Sequence, residues 1–150
     1  MQHWFCNTPV RESLLPEVTH MDEPAYGLSI QKLDPLFSIC RVADYSGVDP
    51  DQPFCFTGCT DTEKSLVCPE DRVPGNTLSR DDGWRAFRIC GVLDFSLIGI
   101  LARIAQILAS ERIGIFAVST YNTDYILTRA NQYEKALAAL RRAGYTVADE

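Results

Sequence analysis

The sequence predicts an α+β fold of two tandem βαββαβ modules, the first reduced in helix, with antiparallel sheets and helices on one face. Three observations predict it. Strand-like and helix-like runs alternate from Trp84 onward, a weak internal repeat carries the same strand texture into the first half, and that half is short of residues where a long helix would stand. The boundaries follow as an N-terminal extension over 1–26, a reduced module over 27–75 and a complete module over 76–150.

The extension is punctuated by Pro9, Pro16 and Pro24 and shows neither helical nor strand periodicity. From Leu28 the texture changes. Leu28 to Leu33 and Leu36 to Val42 are apolar runs of strand length split by Asp34-Pro35, a turn dipeptide, and read as a hairpin. After an irregular stretch come Phe54 to Cys59 and Ser65 to Cys68, two further strands separated by the polar Asp61 to Lys64 and closed by Pro69. Residues 70–83, with Pro74, Gly75, Asn76, Asp81 and Asp82, read as the linker between the halves.

In the second half Trp84 to Cys90 is a strand, and Gly91 to Phe95 a loop with Asp94 or Ser96 placed to cap the helix that follows. From Leu97 to Arg112 the polar Arg103, Gln106 and Ser110 form a narrow stripe opposite Ile100, Leu101, Ile104, Ile107 and Leu108, the pattern of an amphipathic helix. Ile113 to Ser119 and Tyr125 to Thr128 read as strands around a turn at Tyr121-Asn122-Thr123. Asn131 and Glu134 have capping-box spacing ahead of a helix whose apolar face is Tyr133, Leu137 and Leu140; Gly144 stops it before a last strand, Tyr145 to Val147. Crossover handedness folds the order β-α-β-β-α-β over 84–148 into a four-stranded antiparallel sheet with both helices on one face, the ferredoxin-like arrangement.

The repeat sets Phe37-x-Ile39-Cys40 beside Phe87-x-Ile89-Cys90, and Thr62-Glu63 with Leu66-Val67 beside Thr123-Asp124 with Ile126-Leu127. Phe37 to Thr62 is 25 positions and Phe87 to Thr123 is 36, so the first half is 11 residues short where the second places its first helix.

Composition narrows the function. With 46% hydrophobic and 23% charged residues the chain can bury a core, and 14 basic against 20 acidic residues give a charge of −6 that repels phosphate backbones. The extension lacks the apolar centre of a signal peptide, and Leu97 to Ala109 is too short to span a bilayer and holds Arg103 and Gln106. We expect a cytoplasmic protein with no nucleic-acid partner, no membrane partner and no cofactor. The six cysteines lie mostly in apolar runs and read as buried small hydrophobes; Cys55 and Cys59, four apart, would need further ligands to hold a metal. Both histidines, His3 and His20, fall in the extension, which leaves the core without a histidine acid, base or metal ligand, and there is no phosphate loop or nucleophile elbow. An enzyme is not expected.

The strings Trp84-Arg85-Ala86-Phe87-Arg88, Leu93-Asp94-Phe95-Ser96 and Ile115 through Leu127 resemble the ACT domain of the arginine-sensor (CASTOR-like) branch and its small two-module relatives. Phe37 to Arg41 and Leu66 to Pro74 are similar to the first module of those proteins. The resemblance implies two tandem ACT modules in a regulatory protein without catalytic activity, with an amino acid held at a seam between modules, a homodimer and a regulated protein partner. It places the ligand against Asp94, Phe95 and Ser96 and against Ser119, Thr120, Asn122, Thr123 and Asp124. A structural or dimerising module without a ligand is the alternative.

The residue types suit that task. A free amino acid brings a carboxylate and an ammonium group to be satisfied together. A loop opening a helix offers free N–H groups and a positive dipole end to the carboxylate, while Asp94 or Asp124 answers the ammonium. Ser119, Thr120, Asn122 and Thr123 supply neutral hydrogen bonds. Each also has a local role open to it: Asp94 or Ser96 as a cap, the 119–124 stretch as a polar hairpin turn, Phe95 and Phe116 as packing.

Overall fold

Two 14-residue strands, β1 (Ser29–Val42) and β4 (Thr77–Cys90), run antiparallel through the centre of the molecule and carry the remaining elements. The computed structural model describes residues 27–90 and 98–148. Within them β2 (Phe56–Cys59) and β3 (Lys64–Pro69) follow β1, and a 3-10 turn (Glu70–Arg72) leads to β4. Then come α1 (Ile100–Ser110), β5 (Phe116–Ser119), β6 (Asp124–Arg129), a second 3-10 turn (Ala130–Gln132), α2 (Tyr133–Arg142) and β7 (Thr146–Ala148). The seven strands form one sheet in the order β2-β3-β1-β4-β6-β5, with β7 parallel to the first residues of β1.

Several expectations change here. The hairpin expected at Asp34-Pro35 is a single strand. Proline has no N–H to give a ladder, and here it falls in a register break between Lys32 and Leu36 that lets β1 bend without turning back. The expected linker over 70–83 is the 3-10 turn followed by the first half of β4. Its polar texture comes from Ser79, Arg80, Asp81 and Asp82, which lie exposed on that strand. Nor do residues 84–148 make a sheet alone: β1 stands between β4 and β7, pairing Ile30 with Ile89 on one side and with Val147 on the other.

The helix ends also differ. The N-cap of α1 is Gly99, at φ 84, a left-handed backbone that glycine enters freely; Asp94 and Ser96, expected as caps, lie outside the described residues. The N-cap of α2 is Gln132, again without a side-chain cap; Asn131 sits in the preceding 3-10 turn and Glu134 lies 3.8 Å from Arg85 instead. Gly144 does terminate α2. Its N–H bonds the Arg141 carbonyl and that of Tyr145 the Leu140 carbonyl, the Schellman pair. The same pair closes α1 through Arg112 and Ile113, with Arg112 at φ 58 in the glycine position.

Alternate residues of β4 and β6 serve two cores. Phe87, Ile89 and Ile126 face the helices and pack with Ile104, Leu108 and Leu137. Ala86 and Leu127, the neighbours of Phe87 and Ile126 in sequence, belong to a second core with Leu33, Phe37 and Val67. A third cluster, Cys40, Val42, Leu66 and Cys68, is covered by Tyr45, Val48 and Cys55 of the 43–55 loop, which stands in the first half where a helix would be. Cys59, expected to be buried, is exposed on β2.

The sheet folds over on itself. β2 and β6 are four strand positions apart, which in a flat sheet would be roughly 19 Å. Yet the Phe56 and Tyr125 rings are 4.9 Å apart, and Phe54 meets both Phe37 and Tyr125 edge-on. The bend is made at Gly83, whose φ of 81 breaks the run of β4 and whose N–H is taken up by the Glu70 carboxylate at 2.7 Å.

Candidate functional site

Five of the eight residues predicted to meet a ligand form one turn. Ser119 and Asp124 are cross-strand partners at the ends of β5 and β6, and the Thr120 N–H and hydroxyl both donate to the Thr123 carbonyl at 2.9 Å. Ser119, Thr120 and Asn122 are exposed, while Thr123 and Asp124 are half-buried. The Thr123 hydroxyl in turn donates to the Ile89 carbonyl near the end of β4. That bond fixes the turn beside the point where the chain leaves β4 toward residues 91–97. Asp94, Phe95 and Ser96 lie outside the described residues. Phe116 packs edge-on against Trp84 at 6.4 Å, a packing role.

A second turn has the same construction. The Thr60 N–H and hydroxyl donate to the Glu63 carbonyl at 2.9 and 3.3 Å, and a shift of 60 residues carries β2, β3 and the first 3-10 turn onto β5, β6 and the second. Glu63 therefore matches Thr123, one position off the pairing read from the sequence. Beside this turn opens a cleft of about 240 Å³ lined by Arg41, Ala43, Asp61, Thr62, Glu63 and Lys64. Sequence reasoning missed it. Its signal was Phe56 with Thr60 recurring as Phe116 with Thr120, too sparse to stand out from ordinary strand texture.

The sequence itself answers which fold this is. Residues 79–142 match the model of the ACT domain family. This chain carries an ACT domain. It also belongs to one family with a protein from Agobacterium tumefaciens whose structure it matches at TM-score 0.73 and 32% identity, over 82% of this chain and 93% of that one. A Vibrio cholerae protein described as of unknown function, possibly in transport, is similar at TM-score 0.63 and 17% identity over 80% and 92% of the two chains. The ligand-free regulatory subunit of aspartate kinase from Thermus thermophilus is similar at TM-score 0.52 and 16% identity over 78% and 96%. These last two likenesses are of fold. No curated protein matches the sequence significantly.

The ACT domain begins within β4, and charged groups clamp the kink there. Arg129 forks onto both oxygens of Asp81 at 2.8 Å and lies over the Trp84 ring at 4.2 Å. Arg80 donates to Asp82 at 2.6 Å, and the buried Ser38 hydroxyl donates to the same carboxylate. The hydrogen bonds from Arg129 and from Arg80 hold Asp81 and Asp82, respectively, below the usual carboxylate range. These carboxylates stay ionised and join β4 to β1 and β6. Among the described residues no group of histidine, cysteine or carboxylate side chains is arranged to hold a metal ion, and no helix is long and apolar enough to cross a membrane.

Proposed function

We propose that this ACT-domain protein is a regulatory, non-catalytic binder of a small molecule, an amino acid, built from two tandem ACT modules of the arginine-sensor-like kind. ACT domains are regulatory ligand-binding domains. The observation that carries the reading is the Thr123 bond to the Ile89 carbonyl, which holds Ser119, Thr120, Asn122, Thr123 and Asp124 beside the strand end that leads to Asp94, Phe95 and Ser96. The half-buried Asp124 answers the ligand's ammonium group, and the N–H groups of the first turn of α1 answer its carboxylate. The 60-residue recurrence of strand, turn, strand and 3-10 turn supports the two-module reading, the first module lacking both helices.

The protein works as a homodimer in this reading. Among the described residues β2 and β5 each pair on one side only, which leaves two strand edges for a second copy or a regulated protein to cover. Thermal-shift and calorimetric screening of the full chain against single amino acids tests the ligand. At least one should raise the melting temperature at millimolar concentration in a way that Asp124→Asn removes and Arg41→Gln does not. No stabilisation by any amino acid removes the proposal. Sedimentation showing only a 16.8 kDa species at micromolar protein removes the dimer.

A further inference from the structure

The cleft at the Thr60 turn is one end of a longer groove. A second compartment of about 290 Å³ is lined by Ile39, Ser65, Ser79 and Phe116, and the two share Arg41 and Glu63. Arg41 stands near the end of β1, exposed, its backbone paired with Ser65 and Ser79. Among the described residues the structure shows no hydrogen bond or ion pair for its guanidinium or for the Asp61 carboxylate. Glu63 receives one hydrogen bond, from the Ser65 hydroxyl at 2.8 Å. One groove therefore holds an uncommitted guanidinium, the carboxylates of Asp61 and Glu63 with Lys64 beside them, Arg80 and Asp81 already paired with Asp82 and Arg129, and an apolar wall made by Ile39 and Phe116.

We propose that this groove is a second ligand site, for a free amino acid with an apolar side chain. The carboxylate is taken by Arg41, whose planar fork matches it. The ammonium group goes to Glu63 and Asp61, and the side chain lies against Ile39 and Phe116. Phe116 belongs to β5, on one wing of the sheet, whereas the other walls come from β1, β3 and the first half of β4. An occupant consequently touches both wings of the folded sheet and favours the closed arrangement over any opened one. The site rests on the reading of the chain as an amino-acid binder, but uses none of the residues assigned to the site at Asp124.

Calorimetry on the full chain with L-leucine and L-phenylalanine tests it, with N-acetyl-L-leucine and L-leucinamide as probes that lack one charge each. Both amino acids should bind the parent protein, and each derivative should bind more weakly. Arg41→Gln should weaken binding by about tenfold or more. Glu63→Gln should act in the same direction from the ammonium side, and Asp124→Asn should leave this binding intact. Because the Arg41 side chain is exposed, the Arg41→Gln protein should keep the parent melting temperature without ligand. Binding that survives Arg41→Gln but is lost in Asp124→Asn overturns this site and keeps the other. Binding lost in Arg41→Gln and intact in Asp124→Asn supports this site, and the Asp124 site then stands or falls on its own amino-acid screen. No binding of either amino acid to the parent overturns this one.

Discussion

The Tyr133 hydroxyl donates to the Ala86 carbonyl at 2.8 Å, tying the first residue of α2 to the middle of β4 in a spot closed to water. The ring is also covered by Arg85 at 4.3 Å. Burial pushes the phenol up to about 12, so it stays protonated and keeps donating across the physiological range. Tyr133→Phe keeps the ring and strands the carbonyl, and should cost about 1–2 kcal/mol in urea unfolding.

The clamp on the β4 kink gives an acid dependence. Asp81 has its folded pKa lowered, first by the hydrogen bonds from Arg129, so its contribution is present above the unfolded carboxylate pKa and is lost as pH falls through the folded one. Asp81→Asn should therefore be less stable than the parent at neutral pH. The gap should begin to close near the ordinary carboxylate range, about pH 4, and vanish as pH falls through the lower folded pKa. Chemical unfolding followed at several pH values reads this directly, and a constant gap would contradict it.

Arg112 occupies the left-handed closing position of α1 that glycine fills in α2. Arg112→Gly should relieve the backbone strain and raise stability by about 0.5–1 kcal/mol, measured by thermal unfolding. Gly144→Ala should lose about 1 kcal/mol for the converse reason.

The Phe56 ring on Tyr125 closes the two wings of the sheet. Phe56→Ala should cost about 2 kcal/mol, less than truncation at a fully buried site. Amide exchange should quicken first in β2 and β3, because they are held to β6 only through these rings and the core beneath.

Thiol reactivity separates the cysteines. Burial drives the Cys68 thiol up to about 12 and raises that of Cys40, while Cys59 is exposed. Timed alkylation with mass spectrometry should find Cys59 modified in the native protein, with Cys40 and Cys68 modified only after denaturation.

The sequence by itself determined the local elements wherever a short-range pattern reported a single environment. The stripe from Ile100 to Leu108 read as a helix because one face is wet, Gly144 as a stop because only glycine enters the left-handed region freely, and the 119–124 turn as a turn because its residues satisfy their own backbone. Tertiary structure alone decided which strands are neighbours. Asp34-Pro35 and Asp81-Asp82-Gly83 carry turn chemistry, yet both lie inside long strands, since a bulge and a kink absorb them once a partner strand fixes the chain on either side. The insertion of β1 between β4 and β7 left no trace in local periodicity, because strand pairing depends on contacts between residues more than fifty positions apart. The groove at Arg41 was hidden for the same reason: its walls come from four separate strands and one turn, and they meet only when the sheet folds over.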